Sequence, residues 1–416
     1  MSTRILQIGL GTIGMAIAQN LSENGYEVVG FDVNQMVRNQ AATRNIATYE
    51  SLLDALESIP HTPKIIFLSI PAEHVTDLLH DILEYLNPGD IIADLSNSFF
   101  MNSVTHHQLC KDQEVHFVDC GISGGESGAR NGASIMVGGE DEAVQLLEQV
   151  MQRIAIADGY AHVGGPGAGH FAKMVHNAIE YGMIGAIAEG FFVIQEHQAG
   201  LDLKIHDIFK PYTHGSIIQS QLITWLQKAY QADPTLRTMQ QVVSPEKADM
   251  NMEYLSRHEE MKVLDAALIQ RKLTRIEPST IGTLINAMRS QFGGHAINNR
   301  NNEQSVKTLK FSPQQKEAII SGATSFTWRL FDEKNLQEGD EIVCLCDEVK
   351  KVFGIATIEK VTTTTLNQLT IPKPLLTIYK DHTELYKTFR HYYNDPTIDG
   401  STEVKKIDFT FSSLSH

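Results

Sequence analysis

Cysteine is scarce in this sequence, with 4 residues in 416. Cys110, Cys120, Cys344 and Cys346 are too few for the disulfide framework of a small secreted protein. Only Cys344 and Cys346 are close together, and one residue separates them, where zinc and redox motifs have two. We therefore expect them to be ordinary strand residues that point to opposite faces of a sheet.

Long apolar runs and a targeting segment are also lacking. Hydrophobic residues make up 42% of the chain and charged residues 20%, and no run approaches the ~18 apolar residues that a membrane helix needs. This composition argues against both a disordered chain and a membrane-spanning one. Met1 leads straight into an apolar strand without the pattern of a signal peptide, so we predict a cytoplasmic location.

Positive charge is in deficit, and the deficit is uneven along the chain. The formal net charge is −16, which argues against general binding to nucleic acid. From residue 303 onward, 14 Lys and Arg stand against 16 Asp and Glu, a net charge of −2, which leaves −14 for residues 1–302. The C-terminal part therefore differs in composition and is expected to be a separate domain.

The length exceeds that of one ordinary domain, which is about 100–200 residues. In residues 1–165 short apolar strands alternate with amphipathic segments, which predicts an α/β Rossmann domain with a doubly wound parallel sheet. Residues 166–297 read as an all-helical domain for substrate binding and dimerisation, and residues 298–310 as a polar linker. Residues 311–416 contain β-branched runs and predict a small β-rich domain. The predicted strands are Arg4–Ile8, Glu27–Phe31, Ile65–Ile70, Ile91–Leu95, Glu341–Leu345, Gly354–Val361 and Val404–Phe411.

A glycine-rich turn lies between the first strand and the first helix. In such a turn the first glycine permits the tight bend, the second lets a pyrophosphate approach and the third packs the helix on the strand. Asp32 ends the next strand, where a carboxylate binds both ribose hydroxyls and repels a 2′-phosphate, which favours NAD. Arg38 and Arg44 keep NADP possible, and a turn cap is the structural alternative for Asp32. The predicted cofactor site is Gly9, Gly11, Thr12, Ile13, Gly14 and Asp32.

Two segments carry the candidate catalytic groups. The turn Ser123-Gly124-Gly125 exposes N–H groups and a hydroxyl that suit an anionic substrate, although a plain loop would look the same. The following helix places five polar side chains on one face, and burying them among apolar neighbours would be costly without a purpose. A solvated helix face is the alternative. These five side chains are Lys173, His176, Asn177, Glu180 and Tyr181.

Together the glycine-rich turn, ISGGESGARNG and GHFAKMVHNAIEYG resemble decarboxylating 6-phosphogluconate dehydrogenase, within the wider β-hydroxyacid dehydrogenases. The resemblance covers about residues 4–297 and is greatest to the shorter NAD-type members. It implies a homodimer that oxidises and decarboxylates 6-phosphogluconate or a close sugar acid phosphate, with Lys173 as general base and Glu180 as general acid. It also implies that Arg289 and His295 complete the pocket of the other subunit. The substrate contacts that it implies are Asn97, Ser123, Gly124, Gly125, His176, Asn177, Tyr181, Arg271, Arg289 and His295.

This sequence departs from the family pattern in two places. The lysine segment that normally helps to hold the substrate phosphate is replaced by SPEKADMNMEY, in which Lys247 is the nearest lysine. Pro71-Ala72 stands where many relatives carry a lysine-containing turn beside the nicotinamide ribose. The first departure affects the identity of the substrate more than the class of reaction.

The side chains suit this chemistry without a metal. Apolar neighbours lower the pKa of Lys173, so that it can remove the proton of a secondary alcohol as hydride leaves. Protonated Lys173 then polarises the new carbonyl while carbon dioxide is lost, and Glu180 supplies a proton to carbon. We expect no metal site, because the adjacent His106 and His107 diverge on a helix.

The C-terminal region resembles a second family, the ASCH group of PUA-like β-barrels. The resemblance rests on IISGATSFTWRLF, LQEGDEIVCL and FGIATIEKV, and implies RNA or a nucleotide as a ligand. Thr324 occupies the position of a lysine that hydrolytic members use, which argues against hydrolysis. Trp328, Arg329 and the turn Gly339-Asp340 are candidates for a nucleotide-sized pocket, with a purely structural role as the alternative.

Two other functions remain open. One is a β-hydroxyacid dehydrogenase that does not decarboxylate, although simple oxidation would not need Glu180. The other is a metabolite-sensing regulator with an RNA-binding tail, although a sensor would not need both an acid and a base.

Overall fold

The computed structural model describes residues 3–59, 63–245, 247–258, 261–291, 307–330, 336–346, 351–371, 379–393 and 395–413. The chain divides into two compact units whose segments alternate in sequence. The first unit consists of Met1–Gln240, Pro245–Leu264 and Thr283–Asn298. The second consists of Gln241–Ser244, Asp265–Gly282 and Asn299–His416.

An eight-stranded sheet forms the centre of the first unit. Its strands are β1 (Arg4–Ile8), β2 (Glu27–Phe31), β3 (Ala47–Thr48), β4 (Ile65–Leu68), β5 (Ile91–Asp94), β6 (His116–Ser123), β7 (Ala133–Gly138) and β8 (Ala155–Gly164). They run in the order β3-β2-β1-β4-β5-β6-β7-β8, and only the pair β6 and β7 is antiparallel. The first six strands have the order of a dinucleotide-binding fold, which confirms the predicted Rossmann domain.

Helices cover both faces of this sheet, so its central strands are apolar on both sides. Ile5 and Phe67 belong to one buried cluster, and Leu6 and Leu68 belong to another. The helices associated with the sheet are α1 (Thr12–Glu23), α2 (Gln35–Thr43), α3 (Leu52–Glu57), α4 (Val75–Ile82), α5 (Phe100–Lys111), α6 (Gly125–Asn131) and α7 (Asp141–Ile154).

The helical region that the sequence predicts after the sheet is present. Its helices are α8 (Ala168–Glu196), α9 (Gln198–Leu201), α10 (Ile205–Thr213), α11 (Gln221–Ala232), α12 (Lys247–His258), α13 (Lys262–Leu273) and α14 (Thr280–Arg289). In the described part of the chain, α8 is long and apolar enough to cross a membrane by length and composition. The core helix of a globular protein passes the same test. The predicted domain limits, at residues 165, 297 and 310, stay a prediction.

The C-terminal part of the second unit, from residue 299 onward, is called the C-terminal unit below and is built on a five-stranded sheet. Its elements are β9 (Lys307–Phe311), α15 (Pro313–Ile320), β10 (Phe326–Arg329), β11 (Glu341–Cys346), β12 (Lys351–Thr365), α16 (His382–Tyr393) and β13 (Glu403–Ser413). The strand order is β10-β13-β12-β11-β9, with only β11 and β9 parallel. The β-rich character agrees with the sequence, whereas closure into a barrel stays a prediction.

The expectation for the two neighbouring cysteines was wrong. Cys344 and Cys346 lie in β11 and are both buried in the same apolar cluster. The physical reason is that side chains alternate along a strand, so residues two apart share a face.

Candidate active site

The glycine-rich turn leaves room for a pyrophosphate at the start of α1. Gly9 has φ +84°, and a Cβ there would lie 2.3 Å from the carbonyl oxygen of Ser69. A Cβ on Gly14 would lie 2.0 Å from the carbonyl oxygen of Gly9, which explains the close packing of helix and strand. A Cβ on Gly11 would meet no atom within 4 Å, so this side of the turn is open. Thr12 and Ile13 begin α1, whose N-terminal N–H groups suit phosphate oxygens.

Asp32 lies directly after β2, beside the glycine-rich turn. One carboxylate oxygen accepts the N–H of Leu10 at 2.8 Å and the other accepts the N–H of Asn34 at 2.9 Å. Arg38 donates to the carbonyl oxygen of Asp32 at 2.7 Å. The carboxylate therefore does act as a turn cap, and it does so at the position expected for a ribose ligand.

The first turns of α8 lie directly on the backbone of β6 and β7. A Cβ on Gly121 in β6 would be 2.4 Å from Cβ of Lys173. A Cβ on Gly169 in α8 would be 2.6 Å from the carbonyl oxygen of Met136, and one on Gly138 in β7 would be 2.5 Å from the nitrogen of Gly169. These glycines allow the close approach that brings Lys173 over the end of β6.

Five predicted site residues form one polar network at this contact. Ser123 Oγ, at the end of β6, lies 3.1 Å from Nε2 of His176. The other ring nitrogen of His176 lies 3.3 Å from Nζ of Lys173 and 3.8 Å from Oε2 of Glu180. Asn177 Oδ1 is 3.2 Å from the same ring nitrogen. The hydroxyl of Ser123, the amine of Lys173 and the carboxylate of Glu180 thus surround the imidazole of His176.

Burial controls the charge of the two basic groups. Burial lowers the pKa of Lys173 to about 8, against an opposing effect of the Glu180 carboxylate. Burial, followed by the charge of Lys173, lowers the pKa of His176, while the hydrogen bond with Asn177 acts in the opposite direction. Near neutral pH the imidazole is therefore neutral, and part of the Lys173 population is a free amine.

Arg289, near the end of α14, is 3% exposed. Burial lowers the pKa of its guanidinium, and the charges of Tyr181 and Glu180 oppose this effect. Nη1 donates to Oδ1 of Asn286 at 3.1 Å. Within its own chain, Arg289 therefore lies close enough to Tyr181 and Glu180 for their charges to act on it, and its role in the pocket of the other subunit stays a prediction.

Two other predicted substrate residues lie on other segments of the described chain. Asn97 is exposed in the loop after β5. Arg271, on α13, is buried and belongs to a segment of the second unit. His295 lies outside the described residues. Gly124 and Gly125 follow Ser123 with φ of +117° and +62°, so the predicted turn needs glycine at both positions.

Asn20 and Asp119 are site-supporting residues that the sequence patterns did not indicate. Asn20, buried in α1, donates to the carbonyl oxygens of Ala129 and Ile154, each at 3.0 Å, and so fixes the helix that follows the Ser-Gly-Gly turn. Asp119 holds the start of α8 from within β6. A buried polar residue was the available signal for both, but their partners are more than forty residues away in sequence.

The candidate nucleotide pocket of the C-terminal unit was predicted from Trp328, Arg329 and the Gly339-Asp340 turn. A cavity beside Trp328 has about 20 Å³, which is room for about one water molecule. Arg329 donates to the carbonyl oxygen of Lys310 at 2.5 Å and lies over the ring of Phe311. Asp340 pairs with Lys307 at 2.5 Å. These contacts argue for the structural alternative at Arg329 and Asp340.

Two family descriptions match the chain. Residues 4–164 match the NAD-binding domain of 6-phosphogluconate dehydrogenase, and residues 169–212 match the C-terminal domain of 6-phosphogluconate dehydrogenase. The glycine-rich turn and Asp32 fall within the first match, which assigns a nicotinamide dinucleotide as the cofactor.

Individual relatives agree with this assignment. YqeC of Bacillus subtilis (strain 168), provisionally named a 6-phosphogluconate dehydrogenase, is 33% identical over 297 residues, covering 70% of this chain and 97% of that protein. The NAD(+)-dependent, decarboxylating 6-phosphogluconate dehydrogenase of Haloferax volcanii is 34% identical over 228 residues, covering 54% and 74%.

Solved structures show the same fold. The 6-phosphogluconate dehydrogenase of Plasmodium falciparum has a TM-score of 0.59 and 24% identity, covering 73% of this chain and 67% of that one. The 3-hydroxyisobutyrate dehydrogenase of Mycobacterium tuberculosis has a TM-score of 0.55 and 21% identity, covering 70% and 100%.

Proposed function

This chain belongs to the 6-phosphogluconate dehydrogenase family of oxidoreductases, and on that premise we propose that it oxidatively decarboxylates 6-phosphogluconate, or a close sugar acid phosphate, to a ketopentose phosphate and carbon dioxide. The observation that carries the proposal is the partly buried amine of Lys173. It lies 3.3 Å from a ring nitrogen of His176, and the same nitrogen lies 3.8 Å from the Glu180 carboxylate, while the other ring nitrogen contacts Ser123. An acid and a base that share one site are what a reaction with both oxidation and carbon protonation needs.

When bound at the glycine-rich turn and Asp32, a nicotinamide dinucleotide would supply the hydride acceptor for the oxidation. Neutral Lys173 takes the proton of the hydroxyl that is being oxidised, and a β-keto acid results. Protonated Lys173 then donates a hydrogen bond to the new carbonyl oxygen, so that the electrons left by departing carbon dioxide can be accepted there. Glu180 gives a proton to carbon to complete the ketopentose. Ser123, His176 and Asn177 orient the substrate, and Arg289 supplies positive charge near Glu180.

We propose NAD as the preferred cofactor. The Asp32 carboxylate beside the glycine-rich turn supports this preference, since it would bind ribose hydroxyls and repel a 2′-phosphate. Arg38 is the opposing feature, because its guanidinium lies at the carbonyl oxygen of Asp32. NADP therefore remains the alternative cofactor.

We propose that the protein is a homodimer that packs through α8. Ile179, Met183 and Val193 are 51%, 42% and 54% exposed on this helix. Ala186 and Gly190, which lie between them, are also exposed. The spacing of 4, 3, 4 and 3 residues is that of a helix-packing seam, and the small residues allow close approach. A second copy of α8 would cover this apolar stripe.

For the C-terminal unit we propose the ASCH or PUA-like assignment. The five-stranded, mainly antiparallel sheet is compatible with it. RNA or a nucleotide stays the candidate ligand, without support from the small cavity beside Trp328. We also retain the cytoplasm as the proposed location, since the one membrane-length helix among the described residues carries Lys173, His176 and Glu180.

A single assay tests the proposed reaction. The purified full-length protein is incubated with 6-phosphogluconate and NAD or NADP, and reduced cofactor and carbon dioxide are both measured. We expect the two products in equal amounts, with NAD the better cofactor. Reduced cofactor without carbon dioxide would favour the non-decarboxylating β-hydroxyacid dehydrogenase. Gluconate as substrate shows whether the phosphate is recognised despite the missing lysine segment.

A further inference from the structure

Asp119 lies at the junction of strand β6 and helix α8, and no catalytic step uses it. Its side chain is almost completely buried. One carboxylate oxygen accepts the N–H of Gly167 at 2.7 Å, and the other accepts the N–H of His170 at 2.8 Å. Gly167 precedes the first residue of α8 and has no side chain with which to cap the helix, and the first turn contains no acidic residue.

The Asp119 carboxylate therefore replaces a local cap. The first N–H groups of a helix have no partner within the helix, and the helix dipole makes this end positive. A buried carboxylate is costly unless it receives hydrogen bonds, and here two backbone donors supply them. The interaction thus ties the start of α8 to one point on β6, and the tie is strongest while Asp119 is charged.

Two further contacts continue this alignment along the same strand and helix. Asp119, Gly121 and Ser123 are two residues apart and so face the same side of the sheet. Asp119 meets the N–H of His170, Gly121 lies against Cβ of Lys173, and Ser123 meets the ring of His176. Each step of two residues on the strand is matched by a step of three residues, close to one turn, on the helix.

From this register we infer that Asp119 is a positioning residue for the dehydrogenase reaction. It fixes the height and rotation of α8 on β6, and thereby places Lys173 over Gly121 and His176 against Ser123. The inference rests on the proposed function, in which Lys173 is the general base. Asp119 itself contacts neither the substrate nor the cofactor.

The test compares Asp119→Asn with a matched control, Asp90→Asn. Asp90 is 2% exposed, against 1% for Asp119, and accepts two backbone N–H groups, from Lys64 at 2.7 Å and from Asn87 at 2.8 Å, but it lies just before β5. Both variants lose one buried charge and two charge-assisted hydrogen bonds. Only Asp119→Asn releases the helix that carries Lys173.

For Asp119→Asn we expect kcat with 6-phosphogluconate to fall on the order of 10²-fold, the usual effect of misplacing a catalytic group by about 1 Å. The Kd for NAD should not change, because the glycine-rich turn is untouched. The acid limb of kcat/KM should move up from about pH 8 toward 10.5, since a looser α8 lets water reach Lys173. The ionisable neighbours of Lys173, which are His176 and Glu180 on α8, are not substituted in this variant, and neither is Arg289 on α14, whose charge acts on Glu180.

Asp90→Asn should keep the wild-type kcat and pH profile even where its Tm is lower. If Asp119→Asn also keeps both and loses only Tm, the carboxylate merely stabilises the fold and the inference is wrong. If Asp119→Asn does not fold, Gly121→Ala takes its place, because the added methyl pushes at Lys173 while Asp119 remains. A wild-type kcat and acid limb in that variant would equally overturn the register.

Hydrogen exchange separates this inference from the proposed function. If the wild-type protein does not oxidise 6-phosphogluconate, the proposed function fails, and the exchange of the amides of residues 167–176 decides the role of Asp119. Faster exchange there in Asp119→Asn, but not in Asp90→Asn, supports the tie to β6. Equal exchange in the two variants rejects it.

Discussion

Lys173 is the residue on which the proposed chemistry depends most directly. Replacing it by Met removes the base and leaves the glycine-rich turn intact, so oxidation should be lost while NAD still binds. Initial rates and the Kd for NAD measure the two effects. Lys111→Met is the control, because Lys111 is a half-exposed surface residue paired with Glu140. A Lys173→Met enzyme that keeps more than about a tenth of wild-type turnover would remove Lys173 from its assigned role.

The pH dependence of the wild-type enzyme follows from the same amine. A base works only when it is unprotonated, and burial lowers the pKa of Lys173 to about 8. We therefore expect kcat/KM to fall as the pH is lowered through about 8. For an exposed lysine with an ordinary pKa near 10.5, the same fall would be centred near pH 10.5. A rate that is flat between pH 6 and 9 would argue against Lys173 as the base.

Glu180→Gln should be less damaging than the loss of Lys173, with a decrease on the order of 10²–10⁴-fold, as is usual when a general acid is removed. Carbon dioxide release and NADH formation should be followed separately. Glu189→Gln, on an exposed face of the same helix, is the control. Equal turnover by Glu180→Gln and wild type would indicate that the carboxylate is structural.

Asp32→Ala should narrow the preference for NAD over NADP. The change removes both the ribose ligand and the repulsion of a 2′-phosphate. It also removes the acceptor for the N–H of Leu10, so both cofactors should bind more weakly, and the ratio of the two kcat/KM values is the quantity to compare. An unmodified enzyme that prefers NADP tenfold would mean that Arg38 outweighs Asp32.

At the scale of single residues, the sequence predicts which site residues share one face of a helix. It does not predict contacts between residues that are distant in sequence. Helical spacing alone places Lys173, His176 and Glu180 on one face. Asp119 could not be found in this way, because its partners lie 48 and 51 residues away and are backbone groups that every sequence contains.

Among the elements, four of the eight strands of the first sheet were predicted almost to the residue. β1 and β2 have the predicted bounds, and β4 and β5 end within two residues of them, because a buried parallel strand is a continuous apolar run. The antiparallel turn from β6 into β7 was not predicted. Nothing local in Ala133–Gly138 distinguishes an antiparallel strand from a parallel one, since direction depends on the connection.

Helix α8 provides a test of the proposed homodimer. Met183→Glu puts a charge in the middle of the exposed apolar stripe, so the dimer should dissociate, as measured by light scattering or sedimentation. Leu146→Glu on α7 is the control, because Leu146 is about equally exposed (45%) but lies outside the stripe. A dimer that survives Met183→Glu, or a wild-type monomer, would contradict packing through this face.

At the scale of the whole molecule, a truncated protein tests whether the C-terminal unit is needed for dehydrogenase activity and dimerisation. Residues 1–302 contain all segments of the first unit and should fold, bind NAD and dimerise. The comparison is turnover and molecular mass of this fragment against the full chain. A monomeric or inactive fragment would show that the β-rich part, or the Arg271 segment that is grouped with it, belongs to the enzyme.

The alternation of segments between the two units also affects the order in which the protein can form during synthesis. A ribosome releases the chain from its N-terminus at about 5–20 residues per second. The eight-stranded sheet is complete once residues up to Gly164 have emerged, whereas the first unit still awaits Thr283–Asn298. Those last residues follow Asp265–Gly282, which belongs to the second unit. A nascent chain therefore exposes α8 and its neighbours to chaperones for many seconds after the nucleotide-binding sheet has formed.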